Sequence, residues 1–225
     1  VVEAKKGSQL IQEKYNSAKA VMVHIHKCAG TSLIEHFASN PSYLCCSSRM
    51  GDYYGRTGRE YFSDTLWERL FKFSIIRNPY SRIVSVYRMF IENSKPLKTL
   101  FQINGTFEDF VSTLDWVDLE KHNVRKDEVG KFNLKNNIWG IWSHCCPYSN
   151  PKYMIDEMDY IGRFESLSDS LQYVSNHLGE NCSLNKIKRK KFFGSKDYRD
   201  YYNDYSKKTI SRIYEKDLNR FGYDF

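Results

Sequence analysis

The chain has 225 residues, 41% hydrophobic and 27% charged, with a formal net charge of +7. This balance suits a single globular domain over residues 1–225. No apolar run approaches the roughly 18–20 residues with which a helix crosses a bilayer, and Val1–Lys6 reads as neither signal peptide nor anchor. A basic balance fits an anionic partner, but much of the excess sits in Lys186–Lys191, which reads equally well as solvated surface. The six cysteines include the vicinal pairs Cys45-Cys46 and Cys145-Cys146 and no CxxC at zinc-ligand spacing. No metal is expected, and the disulfide state of both pairs stays open. The sequons at Asn104 and Asn181 are no more than chance supplies.

Taken in chain order, residues 9–19 suit a short amphipathic lead-in helix. Val21–Ile25 is a β-branched apolar run that predicts a buried strand. A turn over residues 26–30 follows, then a helix from Thr31 to Ala38 that stops at Asn40-Pro41. Residues 41–64, polar and carrying Gly51, Gly55 and Gly58, read as an irregular loop. Leu70–Ile76 predicts a second buried strand, and Pro79 suits the first turn of a helix running to Glu92. Further helices are expected at Phe107–Leu114, capped by Thr106, at Ser168–Leu178, ended by Gly179, and at Ser206–Phe221, followed by Gly222. Tyr160–Phe164 reads as a short strand, and Lys121–Asn137 stays ambiguous. Strands alternating with helices predict an α/β fold with a central parallel sheet, whose ligands bind beyond the C-terminal strand ends.

Two segments lie at such ends. In His26-Lys27-Cys28-Ala29-Gly30-Thr31-Ser32, a tight turn feeds a helix N-terminus. Successive N–H groups there form an anion nest, Gly30 permits close approach, Thr31 and Ser32 offer hydroxyls, and Lys27 adds a cation. A plain strand–turn–helix junction with a surface lysine is the alternative. The pattern is not a Walker A loop, because Lys27 precedes the glycine; this disfavours kinase or GTPase chemistry. In the second segment, Arg77 to Arg88, Arg77 stands at a strand end where it can fork onto a phosphate, and Ser85 follows eight positions later on the helix. Arg82 and Arg88 read as solvated.

VHIHKCAGTSL is similar to the HIPKTAGTS-like 5′-phosphosulfate loop of Golgi-type and related bacterial sulfotransferases, and FSIIRNPYSRIVSVYR resembles their segment for the 3′-phosphate. YIGRFESL (160–167), KDYRDYYND (196–204) and IYEKDLNRFGYDF (213–225) resemble the closing part of that family. The matches span nearly the whole chain, in the family's order. The resemblance implies a P-loop-like sulfotransferase fold and an enzyme that uses 3′-phosphoadenosine 5′-phosphosulfate (PAPS) and releases the 3′,5′-bisphosphate (PAP), without a metal. It implies that Lys27 contacts the phosphosulfate, that Cys28, Ala29, Gly30, Thr31 and Ser32 cradle the 5′-phosphate, and that Arg77 and Ser85 hold the 3′-phosphate. Residues 186–196 would close over the adenosine. This chain departs from the pattern at His26, where proline is usual, and at Cys28, where threonine is usual.

An acceptor hydroxyl needs a general base. The candidates are His26, Glu35, His36, His122 and His144. His144 ranks first, because SHCCPY resembles an H-x-x-P-Q-like acceptor-side segment with Tyr148 in place of glutamine. His26 ranks second. Tyr53, Tyr54, Trp139, Trp142 and Tyr148 are available to line an acceptor pocket, although core roles are the commoner fate of such rings. The compact chain favours a small-molecule alcohol or amine acceptor over a glycan. A nucleic-acid module is disfavoured, because it leaves Lys27 and Arg77 without a role. A cytoplasmic location is expected, or the Golgi lumen if the stretch belongs to a longer anchored protein.

Overall fold

The computed structural model describes residues 15–37, 40–47, 59, 62–92, 106–114, 144–180 and 196–225. The chain divides into two compact units, Val1–Ile76 with Met154–Lys190, and Arg77–Tyr153 with Lys191–Phe225.

The first unit is built on four parallel strands: β1 (Ala20–His24), β2 (Tyr43–Ser47), β3 (Phe71–Ile76) and β4 (Tyr160–Arg163), in the order β2-β1-β3-β4. Helix α1 (Gly30–Phe37) follows β1, α2 (Asp64–Arg69) precedes β3, and α5 (Leu167–His177) follows β4. Every β1 residue is buried, as expected of a strand covered on both faces. Strand alternation sends Val21 and Val23 to one face, where they meet Leu44, Cys46, Phe62, Trp67 and Leu70. On the other face Phe37 of α1 stacks on Tyr43 at 4.2 Å and meets Phe73 edge-on at 6.0 Å. Helix α5 closes down on β4 at Gly162, where a Cβ would lie 2.6 Å from Ser170 Cβ.

One expectation is corrected in this unit. Residues 41–64 do not form one irregular loop: Tyr43–Ser47 is strand β2, registered along β1 from Ala20↔Tyr43 to His24↔Ser47. Its buried Cys46 packs as a small apolar residue. Helix α2 was also not foreseen; Ser63 caps it by accepting a hydrogen bond from Leu66 N–H. Of the lead-in helix, residues 15–17 are helical and the rest lies outside the described residues.

The second unit is helical: α3 (Pro79–Tyr87) continuing as a π-helical turn over Arg88–Glu92, α4 (Phe107–Leu114), α6 (Asp204–Ile213) and α7 (Glu215–Phe221). Its core joins Tyr80, Ile83, Val84 and Tyr87 of α3 to Phe110 and Val111 of α4 and to Ile210 and Tyr214. Thr106 caps α4 as expected, accepting from Asp109 N–H at 3.1 Å. The single final helix expected over Ser206–Phe221 is two. The break falls at Tyr214 (φ −107°, ψ 18°), whose buried hydroxyl donates to the Cys145 carbonyl. Gly222 then ends α7 at φ 60°.

Candidate active site

Strands β1 and β3 are adjacent and parallel, so their C-terminal ends emerge at one edge of the sheet. The turn after β1 carries Lys27 at φ 67° and Ala29 at φ 66°. Two non-glycine residues in the left-handed region, separated by one residue, give the alternating backbone of an anion nest. Helix α1 opens at Gly30, has no acidic residue in its first turn, and makes its first bond from Leu33 N–H to Ala29 O at 3.1 Å. The N–H groups of a helix's first turn point past its end, with a partial positive charge. Lys27 and Ala29 are partly exposed, while Cys28 is buried with its thiol donating to His26 O. The cysteine in place of threonine therefore turns its side chain inward. Ser32 is half-buried on α1. Thr31 is helical, but its side chain, like those of Glu35 and His36, lies outside the described residues.

Two buried imidazoles back this turn. His26, the second-ranked base, is 3% exposed, and its ring meets that of His24 edge-on at 5.1 Å. A Cβ on Gly30 would fall 1.8 Å from His24 Nε2. Glycine at this position is thus demanded by a neighbouring side chain. The sequence reading gave His24 no role.

In the second unit, Asn78 caps α3 by accepting from Tyr80 N–H, Pro79 fills the first turn, and no acidic residue stands there. Arg77 Nε donates to Ser81 Oγ at 2.9 Å. Ser81 and Ser85 lie one turn apart on the half-buried stripe of α3, so Arg77 and Ser85 flank a shared helix face. Ser81, to which the sequence assigns no role, orients the Arg77 side chain. The Tyr148 hydroxyl accepts from Arg77 N–H at 3.1 Å and donates to Arg77 O at 2.5 Å.

Arg82 is corrected: it is not solvated but fully buried. Its Nη2 donates to His144 O at 2.9 Å, Cys146 O at 2.8 Å and the Tyr153 hydroxyl at 3.2 Å, and its guanidinium lies 4.7 Å over the Tyr148 ring. Arg82 therefore shapes the segment that carries His144, the first-ranked base. His144 itself is half-buried, with Phe90 edge-on at 5.0 Å. Tyr148 is fully buried among core groups rather than available to an acceptor.

Asp217 on α7 fixes the same segment, accepting from Tyr148 N–H at 2.6 Å and Ser149 N–H at 3.1 Å. Burial pushes the Asp217 carboxyl above its usual range, opposed by those backbone donors. Burial also raises the Cys145 thiol and lowers Lys152. Such a thiol resists ionisation and attack. The described cysteines, Cys28, Cys45, Cys46, Cys145 and Cys146, are free thiols. His122, Tyr53, Tyr54, Trp139, Trp142 and residues 186–195 lie outside the described residues. Among the described residues no group of His, Cys, Asp and Glu could hold a metal ion, and no helix is long and apolar enough to cross a membrane.

A parallel sheet whose first strand runs through a tight turn into a helix defines an α/β protein of the class in which ligands bind beyond the C-terminal strand ends. The chain belongs to the sulfotransferase family, whose family model matches residues 13–224. No curated protein and no solved structure compared with it gave a match.

Proposed function

We propose that the chain is a PAPS-dependent sulfotransferase acting on a hydroxyl or amine of a small-molecule acceptor. The observation that carries this reading is the pair of left-handed residues, Lys27 and Ala29, ahead of the helix that opens at Gly30. Backbone strain of this kind persists only where surrounding structure holds it, and it clusters at ligand sites. Family membership across residues 13–224 supplies the reaction class. The matched range contains residues of both units, which supports reading residues 1–225 as one sulfotransferase domain.

In this reading the N–H groups of Cys28, Ala29, Gly30, Thr31 and Ser32 hold the 5′-phosphate. Arg77 and Ser85 hold the 3′-phosphate, with Ser81 steering the Arg77 side chain. His144 accepts the proton of the acceptor as its oxygen or nitrogen attacks sulfur. One S–O bond, or S–N bond for an amine, forms and the bond from sulfur to the bridging oxygen breaks. Lys27 and the nest take up the charge that collects on the departing phosphate oxygen. His26 is the second candidate for the proton.

Transfer of labelled sulfate from PAPS, run against a panel of small alcohols, amines and glycans, tests the reading. Product on small acceptors is the expected result. Product on glycans alone would overturn the acceptor class, and none with any acceptor would overturn the activity. His144→Ala is expected to lower kcat about 10²-fold or more; full activity in that variant would remove His144 as the base.

A further inference from the structure

We infer that Tyr148 is a positioning residue for the donor nucleotide: its hydroxyl fixes the backbone of Arg77 and so the aim of the side chain that holds the 3′-phosphate. The inference rests on the PAPS reading and deepens it. Arg77 is the residue immediately after β3, where the strand ladder ends and its backbone groups need other partners. Both go to one atom. The phenol accepts from Arg77 N–H and donates to Arg77 O. A hydroxyl is the side-chain group that can serve as acceptor and donor through a single oxygen, and phenylalanine offers neither.

The phenol is held in turn on several sides. Asp217 accepts from the backbone N–H of Tyr148, Arg82 stacks 4.7 Å over its ring, and Phe221 meets it edge-on at 5.8 Å. A fully buried tyrosine fixed in this way does not contact an acceptor. It acts on the ligand through Arg77, whose Nε is at the same time set by Ser81. A side chain with its main chain and its Nε both anchored has few orientations left, which is how a pre-formed phosphate ligand is made.

The test is a double-mutant cycle on the full chain, read as PAP affinity by calorimetry and as KM for PAPS against kcat. Tyr148→Phe is expected to weaken PAP binding about tenfold and to raise KM for PAPS similarly, with kcat within about twofold. In an Arg77→Ala background the same change is expected to alter PAP affinity less than about twofold. Wild-type affinity in Tyr148→Phe, or a loss that persists in the Arg77→Ala background, would overturn the inference while leaving the PAPS reading intact. A wild-type protein that does not bind PAP would overturn both. If Tyr148→Phe does not fold, Asp217→Asn loosens the phenol from its other end and is expected to give a smaller loss of PAP affinity, again absent with Arg77→Ala. Wild-type affinity in Asp217→Asn would then count against the link.

Discussion

Lys27 and Ala29 are L-residues held at φ 67° and 66°, a region that costs such residues about 1–2 kcal/mol each. Their strain buys a backbone whose N–H groups converge. Removing the ammonium without altering that backbone separates the two contributions. Lys27→Ala is expected to lower kcat about 10²–10³-fold and to weaken PAP binding while the thermal midpoint changes little, as measured by steady-state kinetics and calorimetry beside a thermal melt. Gly30 tests the opposite side of the turn. A methyl group there would collide with the His24 ring, whose Nε2 lies 1.8 Å from the Cβ position. Gly30→Ala is therefore expected to destabilise by about 1–3 kcal/mol, and adding His24→Ala should recover part of that loss in denaturant titrations. Independent, additive losses would show that His24 does not occupy that space.

At the scale of elements, α3 holds the main lesson about what the sequence makes legible. Its buried positions include Pro79, Tyr80, Ile83, Val84, Val86 and Tyr87, leaving Ser81, Ser85 and Arg88 as the less buried stripe at i, i+4 and i+7. Arg82 is off that stripe, so helical spacing alone argues against solvation. The expectation of a solvated Arg82 fails because a charged side chain with enough buried partners follows its helical position rather than its charge. Strand β1, strand β3 and the turn after β1 were readable because β-branched runs and a glycine-containing turn are local signals. Strand β2 was not, because Tyr-Leu-Cys-Cys-Ser contains no β-branched residue and becomes strand-like only beside β1. The α6–α7 break has no Gly or Pro to announce it; a tertiary bond from Tyr214 to Cys145 O sets it. Tyr148 was legible only as a candidate acceptor-side ring and not as a partner of Arg77, because a phenol 71 positions away leaves no spacing to read.

The same elements yield two stability predictions. Arg82→Leu would leave the carbonyls of His144 and Cys146 and the Tyr153 hydroxyl without their donor. It is expected to lower unfolding free energy by about 3 kcal/mol in urea, where a solvated arginine would change it by about 0.5 kcal/mol or less. Asp217 predicts a pH dependence of definite sign. Its folded carboxyl titrates above the ordinary 3.8, so between that value and the raised one the folded state binds more protons than the unfolded chain. Its contribution to stability is fully present below 3.8 and is lost as pH rises through the raised value. Asp217→Asn is expected to flatten that part of the profile, and an unchanged pH slope would contradict the assignment.

At the scale of the whole molecule, the parallel sheet and its two flanking faces belong to the first unit and the aromatic helical core to the second. The nest lies in one and Arg77, Ser81, Ser85 and Tyr148 in the other. The central claim is that this chain recognises a nucleotide with phosphates at both the 5′ and 3′ positions. Calorimetric titration with PAP, beside ADP, which lacks the 3′-phosphate, tests it most directly. Saturable PAP binding at least about tenfold tighter than ADP, with the difference abolished by Arg77→Ala, is the predicted result. No PAP binding, or equal affinity for PAP and ADP, would contradict it.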